Sequence, residues 1–166
     1  MDIEFQALLN NHTWTLVSPK PKQKVIGYKW VFKVKLKPDG SMERYEACLV
    51  AKGFHQTHGL DYFETFSPTV KPTIVRIVLS LALTFSWSLK KLDVYNAFLN
   101  VDLAEDVFME QPTGFISFTS LTHVYRLNKS LYGLKQSPRA SYNKLSNCLL
   151  QWEFSCSKSD TLVLIC

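Results

Sequence analysis

The chain has 166 residues, of which 46% are hydrophobic and 13% are aromatic. This composition excludes a disordered segment, because it supplies enough apolar material for one ordinary folded core. The formal net charge of +5 suits a polyanionic partner, although a surplus of this size is also common in proteins that bind no polyanion.

The cysteines and the hydropathy pattern exclude further classes. The four cysteines, at positions 48, 148, 156 and 166, lack paired spacing, so we expect reduced thiols rather than a disulfide framework or a zinc site. The most apolar run, residues 74–85, is shorter than a membrane span and contains Arg76, and no signal segment precedes it. We therefore expect an intracellular protein with no membrane partner.

The first third of the chain predicts a short helix over residues 2–10 and then a basic β-hairpin. Apolar residues alternate with lysines over Trp30–Leu36, which places lysines on one face and bulky side chains on the other. Lys37–Ser41 is typical of a turn, because it combines proline, aspartate and glycine, and the returning strand is predicted over Met42–Lys52.

Residues 20–37, which include the first strand of the hairpin, contain seven lysines and no acid. This run is expected to attract phosphates, and the alternative is a lysine-rich edge that only discourages strand aggregation. Its members are Lys20, Lys22, Lys24, Lys29, Lys33, Lys35 and Lys37.

The rest of the chain predicts alternating helices and strands. A helix begins at Pro72, and its apolar stripe at Ile74, Ile77, Val78, Leu81, Ala82 and Phe85 is expected to face a core. Thr161–Ile165 is expected to be a strand whose partner lies beyond residue 166. Further elements are strands at Trp87–Val94, Val107–Met109 and His123–Leu127 and a helix at Ala140–Gln151. The fold class is α+β, in one continuous unit.

Two runs carry most of the functional information. Leu92–Leu99 places Asp93 near the end of a predicted strand, with Phe98 five residues later, and Ser130–Arg139 follows downstream. These two runs and several further short blocks occur in the order found in the reverse transcriptase of copia-type retrotransposons, and the chain resembles that family. The blocks are Trp30–Lys33, Arg44–Tyr45, Leu49–Phe54, Asp61–Tyr62, Thr65–Pro68, Gln111–Pro112 and Gly114–Phe115.

The resemblance implies a partial right-hand polymerase fold, with a fingers β-hairpin and the front part of the palm sheet with packed helices. Residues 1–90 would form the fingers and the first palm helix, and residues 87–166 would form a palm fragment. The implied activity is RNA-directed DNA polymerisation with Mg²⁺, on an RNA or DNA template-primer with deoxynucleotides.

The resemblance also assigns roles to individual residues. Asp93 is the implied catalytic carboxylate and, with the Val94 carbonyl, a metal ligand, and Phe98 is the ring beneath the incoming sugar. Taken alone, Asp93 is more typical of a turn cap and Phe98 is more typical of a core residue, and the surrounding family blocks reverse both preferences. The implied nucleotide-binding residues are Phe98, Lys52 and Lys135, and the implied nucleic-acid-binding residues are Lys33, Lys35 and Arg139.

Departures from the family pattern indicate a degenerate or truncated copy. Glu46 and Cys48 stand where most relatives carry cations, Asn100–Val101 replace His-Gly, and Ser141 replaces an aromatic residue. The chain also contains no Tyr-Val-Asp-Asp run, with which that family completes its metal site. We therefore expect no activity from this chain alone, with a non-catalytic nucleic-acid-binding remnant or a translated pseudogene fragment without function as alternatives.

Other potential metal ligands are interpreted as structural residues. His55 and His58 lack a third ligand at a recognised spacing, so metal binding by this pair is not expected. Asp102, Glu105 and Asp106 are expected to form a solvated acidic face.

Overall fold

The computed structural model describes residues 1–91, 94, 97–157 and 162–165. These residues form three α-helices and seven β-strands, an α+β arrangement as expected. The helices are α1 (Asp2–Asn10), α2 (Pro72–Thr84) and α3 (Ser137–Gln151). The strands are β1 (Trp14–Val17), β2 (Tyr28–Leu36), β3 (Met42–Ala51), β4 (Asp102–Met109), β5 (Val124–Lys129), β6 (Ser155–Cys156) and β7 (Leu164–Ile165).

A three-stranded antiparallel sheet in the order β1-β5-β4 organises the core. Leu127 of β5 lies opposite Trp14 on one side and Val107 on the other, and all three side chains are buried. Helix α1 adds Phe5 and Leu8 to this core. The predicted helix at residues 2–10 and the predicted strands near Val107 and Val124 are confirmed.

Aromatic rings join the separate elements of this core. Phe5 stacks on Phe115 with ring centroids 4.0 Å apart, and Trp14 stacks on Tyr125 at 4.6 Å. Trp30, near the base of the hairpin, approaches Phe115 at 5.8 Å. Because large aromatic side chains bury much apolar area, these contacts fix the base of the hairpin against the sheet.

The β2–β3 hairpin is antiparallel and has the predicted alternation. Lys33 lies opposite Glu46, whereas Phe32 lies opposite Ala47 on the other face. Asp39 accepts hydrogen bonds from the backbone and hydroxyl of Ser41, which closes the predicted turn. The distal apolar face is open to solvent: Phe32 is 66% exposed.

Helix α2 begins at Pro72 as predicted, but the expectation that its apolar stripe faces a core is wrong. Only Ala82 of this helix is buried, whereas Ile77, Val78 and Leu81 are exposed. Periodicity predicts which residues share a face, but burial of that face requires a packed neighbour, and among the described residues α2 packs only weakly on other elements.

One strand prediction is also corrected. Residues 87–91 and Val94 lie outside any strand, and the rest of the predicted Trp87–Val94 strand lies outside the described residues. A strand is stabilised by hydrogen bonds to a neighbouring strand, and no described strand pairs with residues 87–91. Leu164–Ile165 pairs with Ser155–Cys156, a neighbour that the sequence analysis did not name.

The described cysteines are free thiols: Cys48, Cys148 and Cys156 form no disulfide, and Cys166 lies outside the described residues.

No helix in the described part of the chain is long and apolar enough to cross a membrane.

Candidate functional site

The first of the two motif runs is only partly described. Asp93, the expected catalytic carboxylate, lies outside the described residues, and Val94 is exposed. Phe98 lies half-buried on a 3₁₀ turn, Ala97–Asn100. Its ring meets Tyr132 edge-to-face, with centroids 4.8 Å apart. Phe98 therefore contacts the second motif run directly.

Backbone and core contacts also join the two runs. The Ser130 N–H donates to the Val101 carbonyl at 2.7 Å, and Leu99 and Leu131 are both fully buried in the same core. Residues 97–101 are therefore held against the beginning of the second run.

The base of the hairpin docks on the second run through two glycines. The Ala51 N–H donates to the Tyr132 carbonyl at 2.8 Å. At Gly133, where φ is +89°, a Cβ atom would collide with the Ala51 carbonyl oxygen. At Gly53 a Cβ atom would collide with the Gly133 carbonyl. The close backbone approach expected at Gly133 is therefore present, and its neighbour is the hairpin.

A buried amide bridge holds the same junction together. The Gln56 Nε2 donates to the Gln136 Oε1 at 3.0 Å, and the Lys135 N–H donates to the Gln56 Oε1 at 2.9 Å. Gln136 in turn donates to the Asp61 carbonyl at 3.2 Å. Sequence reasoning assigned no role to either glutamine, and the only available signal was their position beside the predicted site residues.

The two lysines predicted to bind the nucleotide, and Arg139, which was predicted to bind nucleic acid, have different surroundings. The Lys135 ammonium donates to the Gln56 carbonyl at 3.1 Å and lies 5.0 Å from the centroid of the Tyr62 ring. Arg139 donates to the Phe66 carbonyl at 3.1 Å and pairs with Glu64. Lys52 lies half-buried at the hairpin base, against Gly27.

Arg139 also borders a cavity of about 230 Å³ between the start of α3 and strand β4. Asp102 and Glu105 line the cavity as well, so its charge is mixed. The third acid of this group, Asp106, is exposed and pairs with Arg126 at 2.7 Å.

One side of the hairpin collects most of its charge, and we refer to its charged residues as the lysine face: Lys29, Lys33, Lys35, Arg44 and Glu46. Strand alternation and register place all five side chains on the same side. Lys35 and Arg44 both pair with Glu46, whereas Lys29 and Lys33 form no ion pair with any described residue. Two cations are thus available to an external anion.

The described residues do not complete a magnesium site. No three His, Cys, Asp or Glu side chains among them come together as a ligand set. Reverse transcriptases generally use divalent metal ions, and Mg²⁺ requires near-octahedral oxygen coordination.

Comparison with known proteins identifies the family of the chain. Residues 11–164 match the family model described as reverse transcriptase (RNA-dependent DNA polymerase). The chain is 50% identical to the retrovirus-related Pol polyprotein from transposon RE1 of Arabidopsis thaliana, over 99% of this chain and 11% of that polyprotein. It is 43% identical to the Pol polyprotein from transposon TNT 1-94 of Nicotiana tabacum, over 98% of this chain and 12% of the relative.

A shorter relative matches a smaller part of the chain. An uncharacterized mitochondrial protein of Arabidopsis thaliana is 49% identical over 82 residues, which are 49% of this chain and 48% of that protein. No solved structure matches the chain significantly. The chain spans about a ninth of the length of the polyproteins it matches. It belongs to the reverse transcriptase (RNA-dependent DNA polymerase) family, among the Pol polyproteins of copia-type retrotransposons.

Proposed function

We propose that this chain is the fingers and the front of the palm of an RNA-directed DNA polymerase. Residues 1–90 would form the fingers with the first palm helix, and residues 87–166 the palm fragment. The observation that carries this proposal is the docking of the basic hairpin on the Ser130–Arg139 run, beside Phe98. The docked run also contacts Phe98 and Val101, which supports a junction shared by the proposed fingers hairpin and the proposed palm fragment.

The substrate class is a template-primer of RNA or DNA together with deoxynucleotides. Lys33 and Lys35 contact phosphates of the nucleic acid from the lysine face, because cations neutralise the backbone and release its counterions. Arg139 contacts the strand from the start of α3. Such contacts position the nucleic acid without reading its sequence.

The nucleotide-binding role falls to Phe98, Lys52 and Lys135. Phe98 packs edge-to-face against Tyr132, and this contact supports a ring that limits the space beneath a sugar. Lys135 can reach a phosphate only after its ammonium leaves the Gln56 carbonyl and the Tyr62 ring.

The catalytic contribution of this chain is proposed to be partial. Asp93 and the Val94 carbonyl would hold Mg²⁺, which supplies charge neutralisation and activation of the attacking hydroxyl when it is bound. The remaining acids of the metal site are absent from the sequence, so the chain alone is proposed to be inactive.

A second candidate is a nucleic-acid-binding module without catalysis. The lysine face favours it, because Lys29 and Lys33 need neither Asp93 nor a metal to bind phosphate. The two candidates share this surface and differ only in whether a complete polymerase uses it.

The test is equilibrium binding of the purified chain to a fluorescently labelled RNA–DNA hybrid over a range of salt concentrations. If the chain contacts about four phosphates, the logarithm of the association constant should fall with log salt at a slope of about −3 to −4. The double variant Lys29→Glu/Lys33→Glu should bind weakly and with a shallower slope.

Lys144→Glu is the control for charge reversal outside the lysine face, because Lys144 is an exposed residue of α3. It should retain a salt slope close to that of the parent. Binding that ignores salt, or that survives both substitutions in the hairpin, would refute the proposed surface.

A further inference from the structure

Glu46 lies at the centre of the lysine face and engages two of its cations. Its Oε1 accepts from the Arg44 Nη2 at 2.9 Å and from the Arg44 Nε at 3.2 Å. Its Oε2 lies 3.6 Å from the Lys35 ammonium. Across the hairpin, Glu46 is also in register with Lys33. One carboxylate therefore engages two of the four cations of this surface.

The surroundings of Glu46 favour its charged form on balance. The hydrogen bonds from Arg44, followed by the Lys35 charge, lower the pKa of Glu46 below its ordinary value. The opposing charges are Glu43, which pairs with Arg44 at 3.5 Å, and Glu4 of α1, which lies near the Leu49 backbone. Cys48 shares the face and is near enough to feel both Glu4 and Glu46. At neutral pH the carboxylate thus stays in place as an anion.

We propose that Glu46 is an intramolecular competitor of nucleic-acid phosphates and holds the affinity of the lysine face below what its cations alone would give. The inference rests on the proposed function of this surface. A phosphate that contacts Lys35 or Arg44 must displace the Glu46 carboxylate. The displaced carboxylate then lacks a cationic partner and repels the phosphate. Only Lys29 and Lys33 are open to phosphate without this exchange.

Removal of the charge tests this competition. Glu46→Gln keeps the size of the side chain and removes the anion that engages Lys35 and Arg44, while the contact of Arg44 with Glu43 remains. Binding to the RNA–DNA hybrid should therefore tighten about threefold to tenfold at moderate salt. The salt slope should steepen by roughly 0.7–0.9 for each additional phosphate that the surface neutralises. The increase in affinity should be smaller in a background of Lys35→Gln, because one of the released cations is then missing.

The control is Asp106→Asn, which changes the net charge equally but releases Arg126 on the three-stranded sheet. An increase in affinity for Glu46→Gln that exceeds the increase for Asp106→Asn supports local competition. Equal increases would show a net-charge effect only and would overturn the inference.

The outcomes for the inference and for the proposed function are separable. If Lys29→Glu/Lys33→Glu weakens binding while Glu46→Gln leaves it unchanged, the surface binds nucleic acid and the competition is refuted. If neither substitution alters binding, or no variant binds the hybrid, both statements fail.

Discussion

Gly133 combines a left-handed backbone with a close approach to the hairpin, and these two constraints can be separated by mutation. Gly133→Ala would place a Cβ against the Ala51 carbonyl at φ +89°, whereas Gly114 has nearly the same φ, +88°, with open space around it. We predict a loss of about 2–4 kcal/mol in the free energy of unfolding for Gly133→Ala and about 1 kcal/mol for Gly114→Ala. Urea denaturation measures both values, and equal losses would contradict the docked junction.

Cys48 is expected to be a sluggish nucleophile. Burial raises the pKa of its thiol, and the carboxylates of Glu4 and Glu46 raise it further. Because the thiolate is the reactive form, Cys48 should react with iodoacetamide more slowly at neutral pH than the exposed Cys156, and its rate should rise only at higher pH.

Mass spectrometry of the alkylated protein at several pH values follows both sites in one sample. Glu46→Gln should lower the pKa of Cys48 and accelerate its alkylation at a fixed pH, because one raising charge is removed. Faster modification of Cys48 than of Cys156 in the parent chain would contradict this description of its surroundings.

At the scale of elements, the amide bridge makes residues 53–62 depend on the start of α3. Gln56→Leu would leave the Gln136 amide and the Lys135 N–H without their buried partner. We predict a loss of about 2–4 kcal/mol in unfolding free energy, since each unsatisfied buried polar group costs about 1–3 kcal/mol.

The matched control is Gln6→Leu, which makes the same change at an exposed position of α1. It should alter the free energy of unfolding by no more than about 0.5 kcal/mol. Hydrogen exchange at the Lys135 amide should accelerate only in Gln56→Leu. Unchanged exchange there would mean that the bridge does not hold this segment.

Elements with strong local signals were predictable from the sequence. The hairpin strands follow from alternating lysines and bulky residues, and its turn follows from Asp39 and Gly40, which has φ +83°. The start of α2 follows from Pro72. Each of these features depends on residues close in sequence, so local chemistry suffices.

Features that depend on distant partners were not predictable in the same way. The apolar stripe of α2 says which residues share a face but not what covers it, and most of that face is exposed. The Gln56–Gln136 bridge joins residues 80 positions apart, so no local pattern contains it. The pairing of β7 with β6 was missed because a strand does not specify its neighbour.

At the scale of the whole molecule, the hairpin and the second motif run form one junction, and residues 97–101 pack on it. In the function proposed above, this junction presents nucleic acid to a polymerase site, for which the sequence provides only part of the acids that a metal pair requires. Binding and catalysis should therefore separate when the chain is studied alone.

A primer-extension assay tests this separation most directly. The purified chain, with Mg²⁺, deoxynucleotides and an annealed RNA template with a DNA primer, should bind the template-primer but extend no primer. Two metal ions roughly 3.5–4 Å apart need several oxygen ligands, and Asp93 with one carbonyl cannot organise both. The result that would contradict the account is primer extension by the parent chain that disappears in Asp93→Ala.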